Sequence, residues 1–199
     1  MAEVVVLKLG VGNIYSVKTG LERTGLRVRV EEDLSRLGNP GGVVLPGVGS
    51  ARAASRRLGP RFADRLKSLG APVLGICLGM QLLFEESEEG GRGLGILPGR
   101  IVRLRASKLP HMGWSRIWIT SGSTLLDGVR NGSYFYFAHS YAYTGSGGFV
   151  RAVSTYEDVR FAAVVERHPF YGTQFHPERS GADGLRVLEN YAGLVGGRL

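Results

Sequence analysis

Hydrophobic residues in the first half of the chain form short apolar runs that alternate with longer amphipathic stretches. The runs at 4–7, 26–30, 43–45 and 73–76 predict strands, and the stretches at 13–24 and 51–69 predict helices, the second broken at Gly59-Pro60. Near-continuous apolar runs are typical of parallel strands covered on both faces. This alternation predicts right-handed crossovers and a mostly parallel sheet, with ligands at the carboxyl ends of its strands.

The pattern changes after Gly93, where shorter strand candidates are separated by glycine-rich turns. The candidates are 100–104, 115–119, 134–138, 149–155, 161–166 and 171–175, followed by a final helix at about 184–194. Closely spaced strands with tight turns favour antiparallel pairing. We therefore expect an α/β protein with a mostly parallel sheet and with antiparallel strands in the C-terminal half. Neither a repeat nor a linker divides it, so 1–199 is predicted to be one domain.

Composition and charge exclude several classes of protein. The chain has 199 residues, of which 43% are hydrophobic and 21% are charged. No run of 18 apolar residues occurs and the start lacks a basic signal region, which predicts a cytoplasmic protein without a membrane partner. The net charge of +8 comes from dispersed basic residues, so we expect no nucleic acid partner. One cysteine and four scattered histidines match no zinc spacing, so no metal is expected.

The segment 71–89 carries the strongest chemical signal. Its apolar run stops at Gly75-Ile76-Cys77-Leu78-Gly79, and the residues Met80, Leu82, Leu83 and Phe84 then suggest an amphipathic helix. Strand, sharp turn and helix form a nucleophile elbow, with flanking glycines removing Cβ clashes from a cramped backbone. The free N–H groups of a following helix would favour the thiolate of Cys77. The alternative is a small buried core cysteine.

A thiolate nucleophile needs a base and a group that orients the base, and His176 with Glu178 fits both roles. His176 follows an apolar strand, Glu178 lies two residues on, and Pro177 restricts the backbone between them. Glu178 would hold the imidazole in the required tautomer. The alternative for this tripeptide is a capped turn before the last helix.

Two glycine-containing loops follow the first and third strands. Pro46-Gly47-Val48-Gly49 can direct the N–H of Val48 or Gly49 at a developing oxyanion, together with the N–H of Leu78. A plain strand-to-helix turn explains this loop equally well. Gly10-Val11-Gly12-Asn13 lacks the third glycine or the Lys-Ser/Thr pair of a phosphate loop, so we expect no nucleotide there.

The motifs Gly75-Ile76-Cys77-Leu78-Gly79-Met80-Gln81 and Thr173-Gln174-Phe175-His176-Pro177-Glu178 resemble those of the class I (triad) glutamine amidotransferases. The resemblance implies a flavodoxin-like fold of three layers, with a mostly parallel sheet between helices. It also implies hydrolysis of glutamine by Cys77, His176 and Glu178 without a cofactor, and transfer of ammonia to a synthase.

Further segments resemble one branch of this family, the glutaminase subunits of histidine biosynthesis. They include Pro110-His111-Met112-Gly113-Trp114 and the run from Tyr136 to Tyr141. The resemblance implies a heterodimer with a barrel-shaped cyclase subunit. The implied glutamine contacts are Gly49, Leu78, Gln81, Glu89, Ser140 and Tyr141. The candidates for the partner interface are His111, Met112, Trp114, Tyr136, His139 and Arg179.

The chain departs from the branch at three places. Lys8-Leu9-Gly10 stands where Asp-Tyr-Gly is usual, Ser115 where Asn is usual, and Arg179 where Lys is usual. None touches the predicted triad. The alternatives are a glutaminase subunit of anthranilate or aminodeoxychorismate synthase, and a cysteine peptidase or deglycase. In the last two, histidine commonly follows the elbow cysteine, whereas Leu78 does so here.

Overall fold

The computed structural model describes residues 2–9, 14–47, 49–58 and 61–197, which form a large mixed sheet flanked by helices. The strands are β1 (Glu3–Leu7), β2 (Arg27–Glu31), β3 (Gly42–Leu45), β4 (Val73–Ile76), β5 (Phe84–Ser87), β6 (Leu97–Arg103), β7 (His111–Ile119), β8 (Tyr134–His139), β9 (Tyr141–Ala142), β10 (Val150–Tyr156), β11 (Val159–Arg167) and β12 (Phe170–Thr173). The α-helices are α1 (Ile14–Glu22), α2 (Ala51–Leu58), α3 (Phe62–Leu69), α4 (Leu78–Gln81) and α5 (Gly181–Val195).

The main sheet has nine strands in the order β2-β1-β3-β4-β12-β11-β10-β7-β8. Strands β2, β1, β3, β4 and β12 are parallel, and β11, β10, β7 and β8 continue the sheet in antiparallel pairs. The predicted α/β class and the antiparallel C-terminal half are confirmed. Strand β12 belongs to both halves, since it is parallel to β4 and antiparallel to β11.

Apolar residues cover both faces of the sheet. On one face, α1 and α5 contribute Val17, Leu21, Val187, Leu188 and Tyr191 to the core. On the other face, α2 and α3 pack beside a small sheet with the order β5-β6-β9. The central strands β1, β3, β4 and β12 are therefore almost wholly buried, which explains their continuous apolar sequences.

The predicted amphipathic helix after Cys77 is corrected by the structure. Helix α4 lasts only one turn, and Phe84 opens β5 instead of continuing the helix. Leu82, Leu83 and Phe84 are all buried, and Leu82 and Leu83 accept backbone hydrogen bonds from residues 94, 96 and 97. An apolar run buried on all sides carries no reliable period, so tertiary pairing decided its structure.

Other predicted boundaries moved by a few residues. Strand β7 begins at His111 rather than at 115, and α5 begins at Gly181 rather than at 184. Residues 10–13, with the predicted start of the first helix, and the break at 59–60 lie outside the described residues. Among the helices that the structure describes, none is long and apolar enough to cross a membrane.

Candidate active site

Cys77 lies at the end of β4, where the chain turns sharply into α4. Its backbone has φ 51° and ψ −105°, a left-handed conformation that costs energy for a residue with a side chain. The Cys77 N–H donates to the carbonyl of Thr173 on β12 at 2.7 Å, which holds the turn against the neighbouring strand. The sharp turn from strand to helix predicted from the sequence, with Cys77 at its apex, is present in the structure.

Glycines at the elbow permit two backbone segments to touch, the chain at the end of β3 and the turn into α4. A Cβ on Gly79 would lie 1.8 Å from the carbonyl oxygen of Leu45, and one on Gly47 would lie 2.4 Å from both the carbonyl oxygen of Ile76 and the nitrogen of Leu78. No side chain fits in either place. Close approach, not only backbone freedom, therefore explains Gly47, and the loop that follows β3 is packed directly on the elbow.

His176 and Glu178 form a buried pair beside the elbow. His176 leaves the end of β12 and caps a 3₁₀ turn at Pro177–Arg179, where Pro177 takes the first position and needs no N–H acceptor. His176 Nδ1 lies 2.9 Å from Oε1 of Glu178, and both side chains are at most 5% exposed. Nε2 of His176 has no hydrogen-bond partner among the described residues, so it is the ring nitrogen left for Cys77.

The protonation of His176 depends on these two neighbours. Burial lowers the pKa of His176, but interactions with the Cys77 sulfur and with the Glu178 carboxylate outweigh burial and raise this pKa to about 10. The ring therefore keeps a proton when the sulfur is anionic. That charge arrangement suits a thiolate nucleophile whose partner imidazolium later donates a proton.

A cavity of about 220 Å³ opens over Cys77. Six residues predicted to contact glutamine line it together with Cys77: Gly49, Leu78, Gln81, Glu89, Ser140 and Tyr141. Gly47, Pro110, Ala138 and His139 complete its wall. Of the three predicted oxyanion donors, Gly49 and Leu78 line this cavity, and Val48 lies outside the described residues. Leu78 is the first residue of α4, so its N–H has no acceptor within the helix.

Hydrogen bonds already hold two of the cavity residues. Glu89 Oε2 accepts from the N–H of Ala51 at 2.7 Å, which places its carboxylate at the start of α2. Gln81 Nε2 donates to the carbonyl of Tyr141 at 2.8 Å and to Oε1 of Gln174 at 3.2 Å. Sequence reasoning assigned no role to Gln174, although it stands in the same motif as His176.

His111 and His139 form a buried chain of hydrogen bonds. His139 Nδ1 lies 2.9 Å from the carbonyl of Tyr141, His139 Nε2 lies 3.2 Å from His111 Nδ1, and His111 Nε2 lies 2.9 Å from the hydroxyl of Ser115. Burial lowers the pKa of His111 to about 4, and burial followed by the neighbouring His111 lowers that of His139 to about 3. Both rings are therefore neutral near pH 7.

These histidines differ in exposure from the other residues predicted at the partner interface. His111 is 2% exposed and His139 is 5% exposed, because both point to the inner side of β7 and β8. The opposite side of the same strands is open: Met112 is 66% exposed and Trp114 is 54% exposed. His111 and His139 are therefore not part of the exposed surface of these two strands.

The outer side of β7 and β8 forms an aromatic surface, defined here by Met112, Trp114, Tyr136 and Arg179. Trp114 pairs with Tyr136 across the two strands, with ring centroids 6.1 Å apart, and the Arg179 guanidinium carbon lies 4.3 Å from the Tyr136 ring centroid. Large exposed apolar side chains of this kind mark interaction sites. Arg179, where the branch usually has Lys, thus adds a stacking contact.

The two residues that depart from the branch just after β1, Lys8 and Leu9, differ in their surroundings. Lys8 forms an ion pair with Glu32 at the surface, and Leu9 is buried in the core beside α2 and α3.

Within the described part of the chain, no group of three or more His, Cys, Asp or Glu side chains is arranged to hold a metal ion.

Comparison with known proteins identifies the class to which this fold and site belong. The sequence model of the glutamine amidotransferase class-I family matches residues 5–192, and the chain belongs to that family. Among solved structures, PurLQS from Thermotoga maritima is similar with a TM-score of 0.78 at 19% identity, covering 97% of this chain and 99% of that one. The glutaminase domain of Trypanosoma brucei CTPS has a TM-score of 0.68 at 15% identity, covering 100% and 95%.

Curated relatives narrow the class to one branch. The chain is 44% identical over 196 residues to imidazole glycerol phosphate synthase subunit HisH of Archaeoglobus fulgidus, covering 96% of this chain and 98% of that protein. It is 48% identical over 212 residues to the HisH subunit of Geobacillus thermodenitrificans, covering 100% and 99%. The predicted resemblance to glutaminase subunits of histidine biosynthesis is confirmed.

Proposed function

We infer that this protein is the glutaminase subunit of imidazole glycerol phosphate synthase, a single amidotransferase domain that releases ammonia from glutamine. The observation that carries the inference is the position of Cys77. It projects at a strained elbow into a cavity lined by every described residue predicted to contact glutamine, and the His176–Glu178 pair lies beside it. The HisH relatives favour this synthase over those that make anthranilate or aminodeoxychorismate.

The proposed mechanism gives each of these residues a role. The Cys77 thiolate attacks the side-chain amide carbon of glutamine, and the N–H of Leu78, with Val48 or Gly49, stabilises the oxyanion. His176 protonates the departing ammonia and then activates the water that hydrolyses the thioester, while Glu178 keeps its Nδ1 protonated. No step needs a cofactor or a metal.

Replacement of Cys77 tests this mechanism. Cys77→Ser should abolish glutamine-dependent turnover, because a serine hydroxyl is far less acidic than a thiol, while the complex with its synthase partner should keep activity on added ammonium salts. Steady-state glutamine hydrolysis and an ammonium-dependent assay measure the two. A serine variant that retains a substantial fraction of the glutaminase rate would remove Cys77 as the nucleophile.

The aromatic surface is proposed as the docking face for a cyclase subunit in a cytoplasmic heterodimer. Free ammonia is soon protonated in water at neutral pH, so direct docking and an internal route for ammonia are expected. The aromatic surface also connects to the catalytic loop, since the N–H of His176 donates to the carbonyl of Tyr136 at 2.9 Å. Exposed tryptophan and arginine are common anchors of protein interfaces.

Binding measurements test the docking face. Joint replacement of Trp114 and Arg179 by Ala should weaken binding of the cyclase by about 2 kcal/mol or more in titration calorimetry. Arg186→Ala, on the exposed side of α5, is the matched control and should bind as the parent does. Unchanged affinity of the double variant would move the interface elsewhere without affecting the glutaminase assignment.

A further inference from the structure

Gln174 is a completely buried polar residue that emerges beside the nucleophile. In the parallel pairing of β12 with β4, Thr173 lies opposite Ile76, so Gln174 and Cys77 leave adjacent strands at the same level. Neighbouring parallel strands are about 4.8 Å apart, which brings their next residues within side-chain reach. Gln174 Nε2 lies 3.5 Å from the Cys77 sulfur.

The direction of this contact is set by a fixed acceptor. The carbonyl of Tyr141 can only accept a hydrogen bond, so the nearby nitrogen of Gln81 must be its donor, at 2.8 Å. The same Gln81 nitrogen donates to Oε1 of Gln174 at 3.2 Å. The Gln174 amide is thereby oriented with its NH₂ group toward sulfur.

We propose that Gln174 is a further catalytic residue, whose side-chain N–H donates a hydrogen bond to the Cys77 sulfur and stabilises its thiolate before attack. A buried amide without a partner is costly, and this amide nitrogen has the sulfur as its partner. A hydrogen bond to an anion is about twice as strong as one between neutral groups, so the contact favours thiolate over thiol. The proposal rests on the proposed function only in taking Cys77 as the nucleophile.

Alkylation by iodoacetamide reads this effect directly, because Cys77 is the only cysteine of the chain. Gln174→Met keeps the length of the side chain and removes the donor. Gln174→Glu keeps the acceptor for Gln81 and replaces the donor by a carboxyl group. Thr173→Val is the matched control, since its buried hydroxyl bonds to the Phe175 carbonyl and not to sulfur.

Both Gln174 variants should need a higher pH than the parent to reach half of their maximal alkylation rate. Loss of a hydrogen bond to a charged group changes an ionisation equilibrium about 10- to 100-fold, which moves this half-maximal pH upward by about one to two units. At a pH high enough to saturate the rate of every variant, the less stabilised thiolates of the two variants should react faster than that of the parent. Thr173→Val should follow the parent across the pH range.

The proposal is overturned if folded Gln174→Met and Gln174→Glu, checked by thermal unfolding, alkylate at the parent rate across the pH range. If Gln174→Met does not fold, Gln174→Glu decides alone. Loss of glutamine hydrolysis with unchanged alkylation would assign Gln174 to support of Gln81 only and would also refute the proposal. Failure of the parent itself to hydrolyse glutamine would instead refute the proposed function, whatever the alkylation rates.

Discussion

The buried contact between His176 and Glu178 is the interaction whose loss can be predicted in most detail. Glu178→Gln keeps the size of the side chain but removes its negative charge. In the parent, Oε1 accepts from His176 Nδ1 at 2.9 Å, while Oε2 has no hydrogen-bond partner among the described residues. No described hydrogen bond at Oε2 would therefore hold the glutamine amide in one orientation, and its NH₂ group can turn toward Nδ1.

Two separate losses follow from this change. The hydrogen bond between carboxylate and developing imidazolium contributes about 1.5–3 kcal/mol. An amide NH₂ group that faces His176 Nδ1 also favours the His176 tautomer protonated at Nε2. To return to the productive tautomer, which is protonated at Nδ1, the amide NH₂ group must lose its acceptor, and this buried unpaired donor costs about 1–3 kcal/mol. Together these losses amount to about 3–6 kcal/mol, which corresponds to a fall in rate of about 10²- to 10⁴-fold.

Glutamine hydrolysis by the complex with the cyclase subunit is the appropriate assay, with kcat and KM determined separately. The fall should lie in kcat, because Glu178 does not line the cavity over Cys77. Glu189→Gln provides the matched control, since Glu189 is a partly exposed carboxylate on α5 that pairs with Arg186. A kcat within threefold of the parent would show that Glu178 does not orient His176 during turnover.

Three further outcomes are expected. His176→Ala should reduce the kcat of glutamine hydrolysis by about 10²-fold or more. His168→Ala, which loses only a contact with the Tyr171 hydroxyl, should reduce this kcat less than threefold. Similar losses in the two variants would contradict the assignment of His176 as the base. Gly79→Ala should destabilise the fold by at least about 2 kcal/mol in chemical denaturation, because its Cβ would meet the Leu45 carbonyl. Gly122→Ala is the control and should be near neutral, because a Cβ added at Gly122 would have no non-neighbouring atom within 4 Å. The free energy of unfolding should decrease on acidification from pH 6.5 to 5. In this interval His111 and His139 take up protons in the unfolded state but not in the native state, where burial lowers their pKa values. Thermal melts of His111→Asn should therefore show a smaller decrease over the same interval.

The sequence predicted most of the central sheet and brought attention to both parts of the candidate active site. Apolar runs covered on two faces, such as those of β1, β3 and β4, are recognisable without a structure. The Gly-x-Cys-x-Gly segment and the His-Pro-Glu tripeptide each have a local signal, so the elbow and the base could be located from their own neighbours.

Features that depend on long-range packing were missed. Phe84 began a strand instead of extending a helix because it pairs with Leu97 of the parallel strand β6, the next strand along the chain. The burial of His111 and His139 depends on which side of β7 and β8 faces the core, and the extent of β7 was not known. Gln174 offered no local sign of its role, since its contact with Cys77 joins residues 97 positions apart.

The place of β12 in the sheet has a consequence for the order in which the protein becomes active. This strand comes last along the chain, yet four strands lie on each side of it. During synthesis on the ribosome, Cys77 is available long before the segment that supplies His176 has emerged, and the sheet stays divided until β12 enters between β4 and β11. In the proposed mechanism, a nascent chain without β12 lacks its base, so we expect glutamine hydrolysis to begin only after β12 closes the sheet.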